Sequence, residues 1–164
     1  MDLTWFYDDV KDALWFVPPP PPPPTFANIG HYANTGPEVS AEVSPMDNLK
    51  FFVGSTYSHT TPSEVPNVPE WTAIAGAAWS PVKPVTLHVD FEWVDRRYVL
   101  DPRFPGTQMS VREYYLLNMR GDYHLNKHIM FFVAGSNLLD YDYEFRPGYP
   151  MPGASVMGGV ELTL

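Results

Sequence analysis

Alternation of apolar and polar residues is the feature that most limits what this 164-residue chain can fold into. It is clearest over residues 85–94, and the last eleven residues, 154–164, alternate in the same way. Successive side chains of a β-strand point to opposite faces, so this pattern predicts strands that lie between two unlike media. In the clearest strand the apolar set is Val85, Leu87, Val89, Phe91 and Trp93.

Eight such strands are predicted, with no convincing helix between them. Three short turns alternate strictly with four long loops, so an up-and-down antiparallel arrangement places all long loops at one edge. The first long loop contains seven consecutive prolines, at 18–24. We interpret this run as a stiff connection rather than a ligand for a proline-binding module. The predicted strands are 3–17 (with an irregularity near Asp8), 25–44, 49–58, 71–80, 85–94, 110–125, 128–137 and 154–164.

Loop asymmetry of this kind is typical of a transmembrane β-barrel. Each alternating run has about nine to eleven residues, the length of a tilted strand that crosses a bilayer. Aromatic residues lie near the strand ends, where interfacial belts fall: Tyr57, Trp71, Trp79, Trp93, Tyr115 and Tyr123. A soluble sandwich or lipocalin-like barrel, with its apolar face inside, shows the same alternation. We favour an all-β, antiparallel, up-and-down transmembrane β-barrel segment of about eight strands.

Composition excludes several other classes. A net charge of -9 without a basic stripe argues against nucleic acid as a partner. The absence of cysteine excludes disulfides and thiolate sites. No apolar run approaches the roughly 20 residues of a membrane-spanning helix. The start of the chain lacks the basic segment of a signal peptide, so no route of export is visible.

Two groups of residues are candidate functional residues. The polar faces of two strands are predicted to line the barrel lumen, through His88, Asp90, Glu92, Arg120, Asp122 and His124. The loop after residue 94 carries residues that could contact an anionic ligand, namely Arg96, Arg97, Tyr98 and Arg103. The alternatives are ordinary loop charge or lipopolysaccharide contact for the loop, and a metal or proton relay for the strand face. No catalytic set is found, and we predict no enzyme activity, metal site or cofactor.

One stretch near the end of the chain resembles the last hairpin of TonB-dependent outer-membrane receptors. It reads Gly135-Ser136-Asn137-Leu138-Leu139-Asp140-Tyr141-Asp142-Tyr143, then Pro147-Gly148-Tyr149-Pro150-Met151-Pro152-Gly153. Residues 7–12, 28–30 and 36–39 are similar to an earlier hairpin of those barrels, and residues 68–71 to a strand start. The resemblance extends over nearly the whole chain.

That resemblance implies a fold and a function. Such receptors are 22-stranded barrels closed by an N-terminal plug, and they import ferric siderophores, cobalamin or similar ligands. Residues 1–164 would be the C-terminal portion of the barrel, without the plug, located in the bacterial outer membrane. The implied partners are membrane lipid, the remainder of the receptor, a small ligand such as a metal chelate, and an energy-coupling protein reached through the missing part. Such a segment is not expected to transport alone. An independent eight-stranded barrel with a structural or adhesive role and a soluble ligand-binding barrel are the alternatives.

Overall fold

The computed structural model describes residues 1–17, 25–28, 30–63, 65–101 and 107–163. The predicted proline loop, 18–24, lies outside them. Their regular elements are strands: β1 (Asp2–Val10), β2 (Leu14–Val17), β3 (Thr25–Asn28), β4 (Tyr32–Met46), β5 (Leu49–Tyr57), β6 (His59–Thr61), β7 (Trp71–Val82), β8 (Val85–Val94), β9 (Arg97–Leu100), β10 (Gln108–Val111), β11 (Tyr114–His124), β12 (Ile129–Ser136), β13 (Glu144–Arg146), β14 (Tyr149–Pro150) and β15 (Ser155–Leu162). No helix in the described ranges is long and apolar enough to cross a membrane.

The main sheet confirms the predicted all-β antiparallel fold. Its strand order is β1-β4-β5-β7-β8-β11-β12-β15, and each strand pairs with the next one of this series. The short strand β6 pairs with β4 beyond the end of β5. In the ladders formed by the described residues, β1 and β15 each have a single neighbour and do not pair with one another. The sheet is therefore a partial barrel.

Strand register keeps the apolar side chains together on one face. In one row Val53 pairs with Ala75, Ala75 with Phe91, and Phe91 with Leu117. Because a slip of one residue would move a whole strand's apolar set to the other face, this register is strongly specified. The face is also accessible, since Leu87 and Phe91 are each 39 % exposed. An apolar face that extends over eight paired strands is typical of a barrel wall that faces hydrocarbon.

Aromatic residues mark both borders of this outer face. Trp71 and Trp79 lie at opposite ends of β7, eight residues apart. At a rise of about 3.3 Å per residue and a tilt of about 40°, they are separated by roughly 20 Å along the membrane normal, close to the height of a barrel's apolar band. The Tyr57 ring packs against Trp71 with 4.7 Å between ring centroids. The outer face thus has the dimensions of a membrane-crossing wall.

Three predicted strands each contain parts of two shorter elements. The predicted strand 3–17 divides into β1 and β2 at Asp12, whose φ is 53°. The prediction 25–44 combined β3 with β4, and 110–125 combined the end of β10 with β11. The reason is that β2 pairs with β3 and β9 with β10, so these hairpins inside the long loops alternate like the main strands. The described parts of these loops therefore contain regular strands.

The buried core lies beneath these loops and not in the middle of the sheet. Among the described residues, the buried apolar side chains are those of Val65, Val94, Val99, Val111, Tyr114 and Leu116. Three of them belong to the long-loop ends of β8 and β11, and the other three to the loops themselves. Packing therefore fixes these loops on the rim of the sheet.

Candidate functional site

A ladder of polar pairs runs along the inner face of β8 and β11. Asp90 lies directly opposite Asn118, and the Asn118 Nδ2 donates to Asp90 Oδ2 at 2.7 Å. Nearer the long loops, the Tyr114 hydroxyl donates to Glu92 Oε1 at 3.3 Å. Five of the six residues that were predicted to line the lumen share this polar face, namely His88, Asp90, Glu92, Arg120 and Asp122, and their exposure to the lumen stays a prediction.

Asp122 is the buried centre of the lower part of this ladder. It is 7 % exposed, and its Oδ1 accepts a hydrogen bond from Arg120 Nε at 2.8 Å. Its Oδ2 lies 3.5 Å from His88 Nε2. The sixth predicted residue, His124, lies at the turn edge, where it is exposed. Because these side chains are hydrogen-bonded to one another, the ladder presents a fixed pattern of polar groups on this face.

Asn137 holds the long terminal loop in shape. It is 4 % exposed and has a φ of 49°. Its Oδ1 accepts from Tyr141 N at 3.0 Å, and its Nδ2 donates to the carbonyl oxygens of Tyr141 and Pro152 at 3.0 and 3.2 Å. Its own N–H donates to Asn118 Oδ1 at 3.0 Å. Through its side chain and its backbone N–H, Asn137 therefore joins the start of the loop, its end and the polar ladder.

Asp140 closes the same loop from the other side. Its φ is 51°, and its Oδ1 accepts from Ala154 N at 2.8 Å. A Cβ at Gly153 would lie 2.6 Å from that oxygen, so a larger residue there would push the Asp140 carboxylate out of its present position. The residues that carry the sequence resemblance thus build the loop itself.

Arg97 clamps two loops together. Its side chain is 7 % exposed, and its Nη2 donates to the carbonyl oxygens of Glu144 and Phe145 at 3.2 and 3.0 Å. The guanidinium carbon lies 5.8 Å from the centres of both the Tyr114 and Phe145 rings. Arg97 therefore holds the β9–β10 hairpin against the β13–β14 hairpin, and these two hairpins are called the cap below. The predicted contact of Arg97 with a ligand stays a prediction.

An aromatic cluster surrounds this clamp. The Tyr114 ring lies 4.9 Å from Tyr143 and 5.8 Å from Phe145, measured between ring centroids. Burial, and to a lesser degree the Glu92 carboxylate, raises the pKa of the Tyr143 phenol above its ordinary value. Tyr143 therefore stays a neutral hydroxyl at physiological pH.

The other predicted loop residues have different surroundings. Arg96 is exposed, and its N–H donates to Asp95 Oδ1 at 2.7 Å. Tyr98 is half-buried, and its carbonyl accepts from Asn67 N at 2.8 Å, which ties the β5–β7 connection to β9. Arg103 lies outside the described residues. Their contact with a ligand stays a prediction.

Removing the clamp is expected to loosen the cap locally. We predict that Arg97→Gln raises the rate of chymotryptic cleavage after Phe145 at least tenfold in the chain held in detergent micelles. Two hydrogen bonds from a charged donor, each worth about 1.5–3 kcal/mol, then no longer oppose opening of β13. Time-resolved proteolysis with mass spectrometry measures this rate.

Arg96→Gln is the matched control for that measurement, because the exposed neighbour loses the same charge without a clamp. It is expected to leave chymotryptic cleavage after Phe145 within about twofold of wild type. Equal cleavage in the two variants would contradict the clamp.

Sequence inspection missed Asn137, Arg146 and Tyr114 as functional residues. Asn137 could have been found, because an Asn at a strand end followed by loop residues favours a left-handed backbone. No sequence pattern indicated Arg146, because its position depends on the pairing of Glu144 with Pro150 and of Arg146 with Tyr149. Within the described chain, no three His, Asp or Glu side chains are grouped to hold a metal ion.

An antiparallel sheet with an apolar outer face, paired charges inside and long structured loops at one edge defines a segment of an outer-membrane-type β-barrel. The sequence matches the model of the family described as TonB dependent receptor-like, beta-barrel, over residues 1–138, and the chain belongs to this family. The family consists of receptors and transporters rather than enzymes. A search of curated proteins found no significantly similar sequence.

Solved structures share the fold. The ferric enterobactin receptor PfeA of Pseudomonas aeruginosa, as its G324V mutant, is 18 % identical with a TM-score of 0.74, and the match covers 98 % of this chain and 28 % of that one. The copper transporter OprC is 16 % identical, with a TM-score of 0.76 and coverages of 98 % and 27 %. The siderophore receptor PiuA of Acinetobacter baumannii is 19 % identical, with a TM-score of 0.73 and coverages of 98 % and 26 %. This chain therefore spans little more than a quarter of each of these proteins.

Proposed function

We propose that this chain forms part of the wall and the ligand-binding loops of an outer-membrane receptor that imports a metal chelate. The observation that carries the proposal is the apolar outer face kept in register over eight strands, with all long loops at one edge. Similar solved structures are receptors for ferric enterobactin and a siderophore and a copper transporter, which favours a metal or its chelate as cargo.

The chain would supply the C-terminal strands of such a receptor. This assignment is supported by the terminal loop, in which Asn137 and Asp140 of the receptor-like motif hydrogen-bond to Tyr141, Pro152 and Ala154. The remainder of the receptor would add the other strands and the plug, and an energy-coupling protein would act through that part. The long loops and the upper inner face would capture the ligand, and membrane lipid would cover the outer face.

Membrane fractionation tests the first half of this proposal. The chain, produced in a bacterial host behind an export signal, is expected in the outer-membrane fraction, extracted by detergent and retained through a sodium carbonate wash. Migration that changes on heating would accompany a folded barrel wall. Recovery as a water-soluble protein without detergent would refute the membrane assignment.

Ligand binding tests the second half. We expect the chain in micelles to bind a ferric chelate more tightly than the same chelator without iron, measured by calorimetric titration. Equal affinity for the two forms, or none for either, would refute a role in capturing metal chelates.

A further inference from the structure

A groove of about 400 Å³ lies between the inner face of the sheet and the β13–β14 hairpin. The inner-face residues Thr72, Val94 and Tyr114 line one side of it. The loop residues Arg97, Phe145 and Arg146 line the other. A groove of this size holds a single substituted aromatic ring rather than a complete chelate with several such arms.

The charge of this groove is opposite to that of the chain. The chain has 19 acidic and 10 basic residues, whereas the charged side chains that line the groove are two arginines, Arg97 and Arg146. The nearby carboxylates have other partners. Glu92 accepts from the Tyr114 hydroxyl at 3.3 Å, and Glu144 Oε2 accepts from Gly148 N at 3.0 Å, inside its own hairpin.

The two arginines differ in exposure. Arg97 is buried and bonds to the carbonyls of Glu144 and Phe145, the two residues directly before Arg146. It therefore fixes the backbone from which the Arg146 side chain extends. Arg146 is exposed at the groove. The rings of Tyr114 and Phe145, 5.8 Å apart between centroids, lie beside it in the lining.

A guanidinium beside aromatic rings suits a specific chemistry. It donates two parallel hydrogen bonds to a carboxylate or an ortho-dioxygen anion, and the rings pack against an aromatic ligand. We propose that this groove binds the anionic aromatic arm of the chelate, with Arg146 as the ligand-selective residue and Arg97 as a positioning residue. This inference deepens the proposed function and rests on it.

Salicylate and salicylamide test the inference, because they share size and ring but only the first is anionic at neutral pH. The chain in detergent micelles is titrated with each, followed by saturation-transfer NMR. Wild type is expected to favour salicylate. Arg146→Gln is expected to lower salicylate affinity at least about tenfold and to leave salicylamide within about twofold. Arg146→Lys, which keeps the charge, should restore part of the loss.

Arg112→Gln is the matched control, since Arg112 is also exposed but lines a neighbouring groove with Glu113, Asp142 and Glu144. It should change salicylate affinity less than about twofold. Arg97→Lys tests the positioning role: it should weaken salicylate binding severalfold in wild type and add nothing in the Arg146→Gln background. A further loss in that background would show direct contact by residue 97 and overturn the positioning role.

Other outcomes separate this inference from the proposed function. No binding of salicylate by wild type, or equal losses in Arg146→Gln and Arg112→Gln, would overturn the groove assignment. Tight binding of ferric chelates that Arg146→Gln leaves unchanged would also overturn it, while chelate capture would stand. Salicylate binding that depends on Arg146, without binding of any ferric chelate, would uphold the groove and refute chelate capture.

Discussion

Asn137→Ala is expected to destabilise the chain by about 3–5 kcal/mol. The substitution leaves the Tyr141 N–H and the carbonyls of Tyr141 and Pro152 without the partner they have now, at about 1 kcal/mol for each of these partly buried groups, the low end of the cost of an unmade hydrogen bond. Alanine at a φ of 49° adds about 1 kcal/mol of backbone strain. Urea unfolding in detergent micelles, followed by tryptophan fluorescence, measures the change in free energy.

Two control variants separate the contributions of backbone strain and of the lost hydrogen bonds. Asn137→Gly removes the same hydrogen bonds but tolerates the left-handed backbone, so its cost should be about 1 kcal/mol smaller. Asn126→Ala removes an exposed side chain that accepts from His128 N and Ile129 N in a short turn, and should cost under about 1 kcal/mol. If Asn137→Ala cost no more than Asn126→Ala, the terminal loop would not depend on the hydrogen bonds of the Asn137 side chain.

A charge placed on the outer face is expected to lower the free energy of unfolding nearly as much as Asn137→Ala does. Ala75 lies midway between Trp71 and Trp79 on β7, on the apolar face, where it pairs with Phe91. Arginine at the middle of a lipid-facing strand costs about 2–4 kcal/mol, because its guanidinium must leave water. We expect Ala75→Arg to lower the free energy of unfolding in lipid vesicles by this amount.

Ala78→Arg is the matched control on the same strand. Ala78 faces inward, where it pairs with Lys50 and His88. An added arginine there remains in a polar environment, and its repulsion by the neighbouring lysine should cost under about 1 kcal/mol. If Ala78→Arg were the more harmful of the two, the apolar face would be the inside of a soluble barrel and the membrane assignment would fail.

The faces of the strands could be predicted because alternation is a local property. Each of Leu87, Val89 and Phe91 lies on the outer face with its apolar partners, as the period of two indicates. The ends of the strands could not be predicted from the same signal. Residues 14–17 continue the β pattern of β1, yet they belong to a hairpin with 25–28, since a positive φ at Asp12 redirects the chain.

In the candidate site, too, local patterns predicted which face a residue lies on but not which residues it contacts. Alternation assigned His88, Asp90 and Asp122 to the inner face, but it could not say that Asp90 bonds to Asn118 or that His88 meets Asp122. Arg97 lies in a loop with other arginines, and this suggested that it contacts a ligand. Its two bonds to the carbonyls of Glu144 and Phe145 join residues 47 and 48 positions apart, which no local pattern encodes.

The sequence by itself determined the class of fold, the two faces of the sheet and the edge that carries the long loops. These follow from side-chain period and from the lengths of the connections, both of which are local. Only the tertiary structure decided which loops meet, because that depends on strand register and on packing between residues far apart in the chain. Alignment of the eight strands is needed before Arg97 and Asn137 can make their contacts and before the groove at Arg146 can form.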